Sequence, residues 1–349
     1  MLFKDNLELH TKRTARIDEE LKNVANDRER FLLNRQKGLG GSDMAKILGI
    51  SKWGSPYSVW LSKTGRDTAD HSSIATELGT FCEDFVAQKY AEITGNEVKK
   101  VKPIASKKYP FLLANFDRLV VNNGKIIGGL ECKTCGQNAQ VLDLKGVYRN
   151  KWGECNTYES TNLIATSDEI DPEYYGQVQH YLAVSQLEWW DVAVLISNQS
   201  FKIYRVYPDL DFITKMIETA EQFWCTNVLN DIAPKKDFNT LKEEVGQDVA
   251  IQADIELLKL LNEYNALNSQ IKALDKDLNA KKEAIAQALG DNQKATYIDD
   301  KGKEKTAVTF KGTSRTMLDS SRLESELPQV YKKYTKTMNT ARSLRVFYK

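Results

Sequence analysis

The spacing of apolar residues changes several times along the chain, and each change marks an element. Ile17, Leu21, Val24 and Phe31-Leu32-Leu33 stand in a highly charged stretch. They predict a helix over Ile17–Arg35 leading into the glycine cluster Gly38-Leu39-Gly40-Gly41. Ser42 suits an N-cap, which predicts a short helix Asp43–Leu48 closed by Gly49. Ser55 followed by Pro56 predicts a helix running to about Lys63 and ending at Gly65, then a polar linker Arg66–Ser72. Leu78, Phe81, Cys82, Phe85, Val86, Tyr90 and Ile93 repeat with helical period, predicting a helix Ile74–Thr94 stopped by Gly95.

The period then shortens. Strands are predicted at Val98–Ile104, Phe111–Asn115, Phe116–Val121 and Lys125–Lys133, with Asn122-Asn123-Gly124 as a hairpin turn. A helix Asp171–Ser185, strands Trp190–Ser197 and Phe201–Tyr207 about a turn at Asn198-Gln199-Ser200, and a helix Asp209–Asn230 follow. This order predicts an α/β fold, a mixed sheet flanked by helices. A polar stretch, Ala233–Gln247, separates it from a different pattern. Leu257, Tyr264, Ile271, Leu278 and Ile285 recur every seven residues, and Leu260, Leu267 and Leu274 fill the complementary seam until Lys281 breaks it. That predicts one long helix, either of coiled-coil type or packed on its own domain. A hairpin (Lys294–Ile298 and Lys305–Lys311 about Asp299–Gly302), a helical patch Asp319–Tyr334 and a terminal strand Ser343–Tyr348 complete the chain. The expected division is 1–235 and 236–349, the second unit being a long-helix and hairpin module for binding or assembly.

Composition narrows the class. The chain has 349 residues, 41% hydrophobic and 28% charged, which reads as globular. No apolar run approaches the ~20 residues of a membrane span, and MLFKDNLELHTKR lacks the apolar core of a signal peptide, so an intracellular location is expected. The five cysteines are then expected to be reduced. Cys132-Lys133-Thr134-Cys135 lacks the second pair of a zinc site, and His10, His71 and His180 do not cluster. The net charge of +1 hides an asymmetry: residues 291–349 carry 13 Lys/Arg against 7 Asp/Glu, the remainder 36 against 41. A basic tail on a slightly acidic body suits nucleic acid or an acidic protein; a solvated surface is the plainer alternative.

The chemistry concentrates in Asp117 and in Glu131-Cys132-Lys133. The hairpin places them on adjacent strands, and Glu131 and Lys133, two apart, face the same way. Converging carboxylates suit a hard cation such as Mg²⁺, and a lysine beside it can hold a water, or deprotonate one once its pKa is lowered. A cross-strand salt bridge on a solvated face would use the same residues. Amides at the predicted helix start near Ser42, with Arg35 and Lys37 close by, suit a phosphate; a simple capped turn is the other reading. The spacing of a Walker A loop is absent.

Five segments, in order, resemble the YqaJ-type viral recombinases, relatives of phage lambda exonuclease within the PD-(D/E)XK nuclease superfamily. They are Arg35 with Gly38-Leu-Gly-Gly-Ser42, Gly79-Thr-Phe-Cys-Glu83, Asn115-Phe-Asp117, Leu130-Glu-Cys-Lys133 and Tyr174-Tyr-Gly-Gln177-Val-Gln179. The resemblance covers roughly residues 30–230 and departs at Phe116, where the motif name carries proline. It implies a restriction-endonuclease-like core with a C-terminal extension. It implies metal ligands at Asp117, Glu131 and the Cys132 carbonyl, with Glu83 toward a second ion. Lys133 would position or activate the attacking water, Gln177 would orient that water or Lys133, and Arg35, Ser42 and Lys52 would bind the 5′-phosphate of a DNA end. The implied cofactor is two Mg²⁺ ions, with Mn²⁺ possible. The implied activity is 5′→3′ digestion of linear duplex DNA, preferring 5′-phosphorylated ends and leaving 3′ tails for a single-strand annealing protein. The implied enzyme is a ring-shaped homotrimer in the cytoplasm of a bacterial host, encoded by phage or prophage. The alternatives are a PD-(D/E)XK endonuclease and a DNA-binding accessory protein on a degenerate nuclease fold.

Overall fold

A computed structural model describes residues 2–67, 73–136, 140–142, 148–150, 170–197, 200–243, 251–298, 302–312 and 318–335. His71, Cys155, the ends of the linkers at 68–72 and 244–247, the turn residues 198–199 and 299–301, and the proposed strand Ser343–Tyr348 lie outside the described residues. The chain divides into two compact units, Met1–Asp237 and Phe238–Lys349.

The first unit opens with α1 (Leu2–Asp5), α2 (Leu7–Lys22) and α3 (Asp27–Arg35). The single helix expected over Ile17–Arg35 is broken, because the Asn26 side chain accepts from the amides of Arg28 and Glu29 and caps a new helix. α4 (Gly41–Ile47) and α5 (Pro56–Lys63) follow, then α6 (Ile74–Thr94), which Ser73 caps and Gly95 ends at φ 70°. The strand expected at Val98–Ile104 is two strands, β1 (Glu97–Lys99) and β2 (Ile104–Ala105). Pro103 between them has no N–H for a ladder. β2 pairs with β3 (Leu113–Ala114) in a small sheet of its own.

The main sheet is built from β1, β4 (Arg118–Asn122), β5 (Lys125–Cys135), β8 (Trp190–Ile196) and β9 (Ser200–Val206), in the order β1-β4-β5-β8-β9. Only β5 and β8 run parallel. A short hairpin of β6 (Gln140–Leu142) and β7 (Tyr148–Asn150) lies between them in sequence, and α7 (Pro172–Ser185) makes the crossover. Asn123 and Gly124 turn the β4–β5 hairpin with φ 48° and 77°, the paired positive values a tight hairpin needs. A Cβ on Gly129 would stand 2.3 Å from the Trp190 ring. That explains a glycine in the centre of a buried strand: it lets the largest core side chain lie flat on the sheet. α8 (Leu210–Gln222) continues into a π-helical turn, Phe223–Leu229, and seats Met216, Ala220 and Trp224 in the core.

The second unit contains α9 (Phe238–Glu243), the 35-residue α10 (Ile255–Leu289), a hairpin of β10 (Lys294–Ile298) and β11 (Glu304–Thr309), then α11 (Ser320–Glu326) and α12 (Pro328–Tyr334). Leu257, Leu260, Tyr264, Leu267, Ile271, Leu274, Leu278 and Ile285 are exposed along α10. No helix among the described residues is long and apolar enough to cross a membrane.

Candidate active site

Hairpin register places the central carboxylates. Arg118 pairs with Leu130, so Asp117, one residue before β4, falls opposite Glu131. With no strand partner left there, the Cys132 N–H donates to Asp117 Oδ2 at 2.8 Å. Burial, reinforced by the Glu131 carboxylate, pushes the Asp117 carboxyl up to about 8, against the pull of Lys133 and the Cys132 amide.

Glu131 is 2% exposed. Its Oε1 accepts from Lys133 Nζ and, at 2.7 Å, from Gln177 Nε2; its Oε2 is buried without a partner among the described residues. Gln177 also donates to Tyr181 Oη at 2.8 Å and accepts from Lys133 Nζ at 3.3 Å. α7 is therefore the element that brings Gln177 over the strand pair. Burial opposes the Lys133 charge, but Glu131, Tyr174 and Asp117 outweigh it and hold its pKa above that of an ordinary lysine. The expectation of a base with a lowered pKa is corrected: with both carboxylates beside it, Lys133 is an ammonium donor.

Among the described residues no three His, Cys, Asp or Glu side chains form a ready metal shell. The residues nonetheless fit a hard cation. One buried carboxylate oxygen has no partner among the described residues, and burial together with the Glu131 charge makes a second carboxyl resist ionisation. Glu83 lies on the side of α6 that faces the sheet and pairs with the buried Arg118, which also holds Asp84 and the Asp117 carbonyl. The structure thus brings Glu83 beside Asp117 but with its charge already matched. Phe116 packs on Tyr181 and Trp190, ring centroids 5.2 and 4.7 Å away, and adds no polar chemistry. Cys132 and Cys135 are three apart on β5 and so face opposite sides; burial, with Asp117 and Glu131 adding to it, pushes the Cys132 thiol far up.

Arg35 and Ser42 also meet. Arg35 Nη2 donates to Ser42 Oγ at 3.0 Å and to Asp43 Oδ1 at 3.2 Å. The N-cap expected at Ser42 belongs to Gly40, and the Gly40 N–H donates to Asp43 Oδ2 at 2.8 Å. With Asp43 taking an amide at the helix start, the positive charge here comes from Arg35. Lys37 turns away to Asp18. Lys52 lies over Trp53 at 5.2 Å and is not among the residues lining the cavity next described.

A cavity of about 250 Å³ joins the two groups: Arg35 and Ser42 line one part, Asp117, Gln177 and Tyr181 another. Glu131 and Lys133 reach it through Gln177. The close approach depends on Gly41, where a Cβ would stand 2.8 Å from Tyr181 Cε1 and 3.0 Å from Gln177 Cγ. Sequence reasoning missed Lys63, which also lines the cavity and is 1% exposed. Its position in the last turn of α5 reads as a surface lysine at a helix C-terminus. Asp43, Arg118 and Tyr181 were missed for a similar reason, since each is defined by partners distant in sequence.

Residues 30–188 match the family model of the YqaJ-like viral recombinase domain. Over 328 residues the chain is 28% identical to "Uncharacterized protein YqaJ" of Bacillus subtilis (strain 168), covering 90% of this chain and 93% of that one. The likeness therefore continues into the second unit. Among solved structures, the alkaline exonuclease LHK-Exo from Laribacter hongkongensis is 17% identical, covering 58% of this chain and 93% of its own, with a TM-score of 0.42. LHK-Exo in complex with dAMP is 19% identical, covering 57% and 90%, with a TM-score of 0.40. A phage-related exonuclease from Haemophilus somnus 129PT is 12% identical, covering 56% and 96%, with a TM-score of 0.36.

Proposed function

We propose, from the match of residues 30–188 to the YqaJ-like viral recombinase domain, that the chain is a divalent-metal-dependent exonuclease acting on the ends of linear duplex DNA. The observation that carries the reading is the shared cavity, with the half-exposed Arg35 guanidinium and the Ser42 hydroxyl on one side and Asp117, with Gln177 leading to Glu131, on the other. A terminal phosphate held by Arg35 and Ser42 would leave the adjoining phosphodiester to the Asp117 side. The bidentate geometry of arginine suits phosphate oxygens.

Asp117 and Glu131 would hold Mg²⁺ or Mn²⁺, and the Cys132 carbonyl would join them. On a strand a residue's carbonyl points to the same edge as its amide, and the Cys132 amide already points at Asp117. Glu83 would serve a second ion after releasing Arg118. When bound, the cations supply Lewis-acid stabilisation of the attacking and leaving oxygens. Lys133, held as an ammonium between Glu131 and Gln177, would donate to the attacking water and offset phosphate charge. Gln177 fixes the Lys133 and Glu131 head groups relative to each other. Digestion would run 5′→3′ and leave a 3′ tail for a single-strand annealing protein, which the second unit would recruit; assembly would be a ring-shaped trimer.

The test is digestion, by the full chain, of linear duplexes bearing 5′-phosphate or 5′-hydroxyl ends, beside a closed circle, with and without Mg²⁺. Linear DNA should disappear only with the metal, phosphorylated ends faster, while the circle survives. Cutting of the circle would make the protein an endonuclease. Binding without cleavage in either Mg²⁺ or Mn²⁺ would make it an accessory protein on a degenerate nuclease fold.

A further inference from the structure

Lys63 ends α5, a position where a lysine ordinarily extends into water, yet its side chain is 2% exposed. Its Nζ donates to the Arg35 carbonyl at 2.9 Å and pairs with Asp43 Oδ2 at 2.7 Å. Asp43 is buried as well and divides its oxygens: Oδ2 takes Lys63 and the Gly40 amide, Oδ1 takes the Arg35 guanidinium. Arg35 alone of the three is substantially exposed, and it donates to Ser42 in the cavity wall.

Two features point past a simple clamp between α4 and α5. Burying a carboxylate and an ammonium is costly, and apolar residues of similar size commonly hold two helices as well or better. The charge count also matters for what the pocket can bind. Arg35 facing Asp43 alone would be a neutral pair, and a terminal phosphate, with up to about two negative charges near pH 7, would meet no net attraction. With Lys63 on Asp43 the cluster carries one net positive charge. The guanidinium then retains donors to spend on a ligand, since arginine has five and only some are used here.

We propose that Lys63 is a specificity-determining residue of the end pocket: by neutralising Asp43 it leaves the Arg35 guanidinium its full charge for a terminal phosphate. The proposal rests on reading Arg35 and Ser42 as the end-phosphate pocket. Lys63 acts through Asp43 and Arg35 and is a positioning residue, so its loss should alter which end is preferred rather than the ability to cleave.

The experiment compares the full chain with Lys63→Gln, Lys63→Arg and the double variant Asp43→Asn/Lys63→Gln, each digesting 5′-phosphorylated and 5′-hydroxyl duplexes. The readout is the ratio of kcat/KM for the two ends. Lys63→Gln keeps a hydrogen-bonding head but no charge; its ratio should fall about tenfold or more, the scale of one charge-assisted contact, through KM on the phosphorylated end with kcat little changed. Lys63→Arg should restore the ratio. The double variant, with both charges gone, should discriminate nearly as the parent does. Lys63→Gln with the parent's ratio overturns the proposal. If Lys63→Gln fails to fold, the double variant decides: an unchanged ratio supports charge balance, and a collapsed ratio overturns it. A parent protein that digests both ends equally sinks the end-pocket reading itself, and the role of Lys63 with it.

Discussion

Asp117 is held away from ionisation by burial and by Glu131 across the hairpin. Folding therefore brings two carboxylates together at a cost that a cation would offset, which is the pattern of a site kept for function rather than stability. Asp117→Asn keeps an acceptor for the Cys132 amide and removes the ionisable group whose charge burial and Glu131 disfavour. It should abolish cleavage and, with divalent ions chelated, raise Tm by a few degrees, at about 2–4 °C per kcal/mol for a domain of this size. A fall in Tm would mean that the repulsion is absent. Lys133→Ala should lower the cleavage rate by about 10²–10³-fold, the usual scale for removing one preorganised charge-stabilising donor, while DNA binding, followed by gel shift, persists. His180 supplies a pH dependence. Its Nε2 meets the Leu113 carbonyl at 2.8 Å, and burial lowers its pKa to about 4, from 6.5 in the unfolded chain. Its folded pKa is depressed, so between those values the unfolded chain binds the extra proton. The stability it contributes is complete above about pH 6.5 and is lost as pH falls toward about 4, on the order of 3 kcal/mol in all. Denaturant midpoints across that window should fall with pH in the parent protein and flatten in His180→Gln.

At the scale of elements, α4 against α7 decides whether the two halves of the site share a cavity. Gly41 permits that contact. Gly41→Ala would press on Tyr181 and on both the side chain and the carbonyl of Gln177, the last at 3.2 Å, and should destabilise by about 1–3 kcal/mol. Because the displaced residues carry the Glu131 and Lys133 contacts, cleavage should fall further than stability predicts. Activity measured well below the Tm of the variant separates the two effects, and full activity there would show that the cavity tolerates the shift. α6 illustrates a different balance. Val86, Ala87 and Tyr90 face the sheet, with Tyr90 donating to the buried Asp191 at 2.7 Å, whereas Ile74, Leu78, Phe81 and Phe85 are exposed on the opposite side of the helix. The helix is apolar on two faces, and the sheet covers one of them.

At the scale of the whole molecule, the first unit contains a complete core, the sheet and all the residues of the candidate site. A chain ending at Asp237 should therefore fold and digest linear duplex DNA as the full chain does. The second unit offers α10, with an apolar seam that a partner helix would bury. In the proposed reading it recruits an annealing protein, so the shortened chain should fail to co-purify with one. An insoluble or inactive product would show that residues past Asp237 belong to the nuclease. Full-strength binding of the annealing protein by the shortened chain would move the docking surface to the first unit.

Signals that act within a few residues were legible from the sequence alone. The turn Asn123-Gly124 marked the hairpin that puts Asp117 and Glu131 on adjacent strands, because a two-residue turn allows few pairings; the one-residue shift after Val120, which brings Asp117 opposite Glu131 instead of Leu130, was decided by the folded sheet. Ser55 accepts from the amide of Ser58 and, with Pro56 after it, marks the start of α5. The heptad pattern marked α10 for the same reason, since helical period is a property of neighbours along one chain. What lay beyond reach depended on what packs across from a residue. Gly40 replaces Ser42 as the cap because Asp43, held by Lys63 and Arg35, turns back to its amide. Lys63 reads as a surface residue until α4 and the end of α3 close over it. Glu83 had two sides of a helix open to it, and the position of Arg118 on β4 settled which one it took. Period and capping energies are local and small, whereas burying a charge is decided by partners far apart in sequence, which only the folded chain brings together.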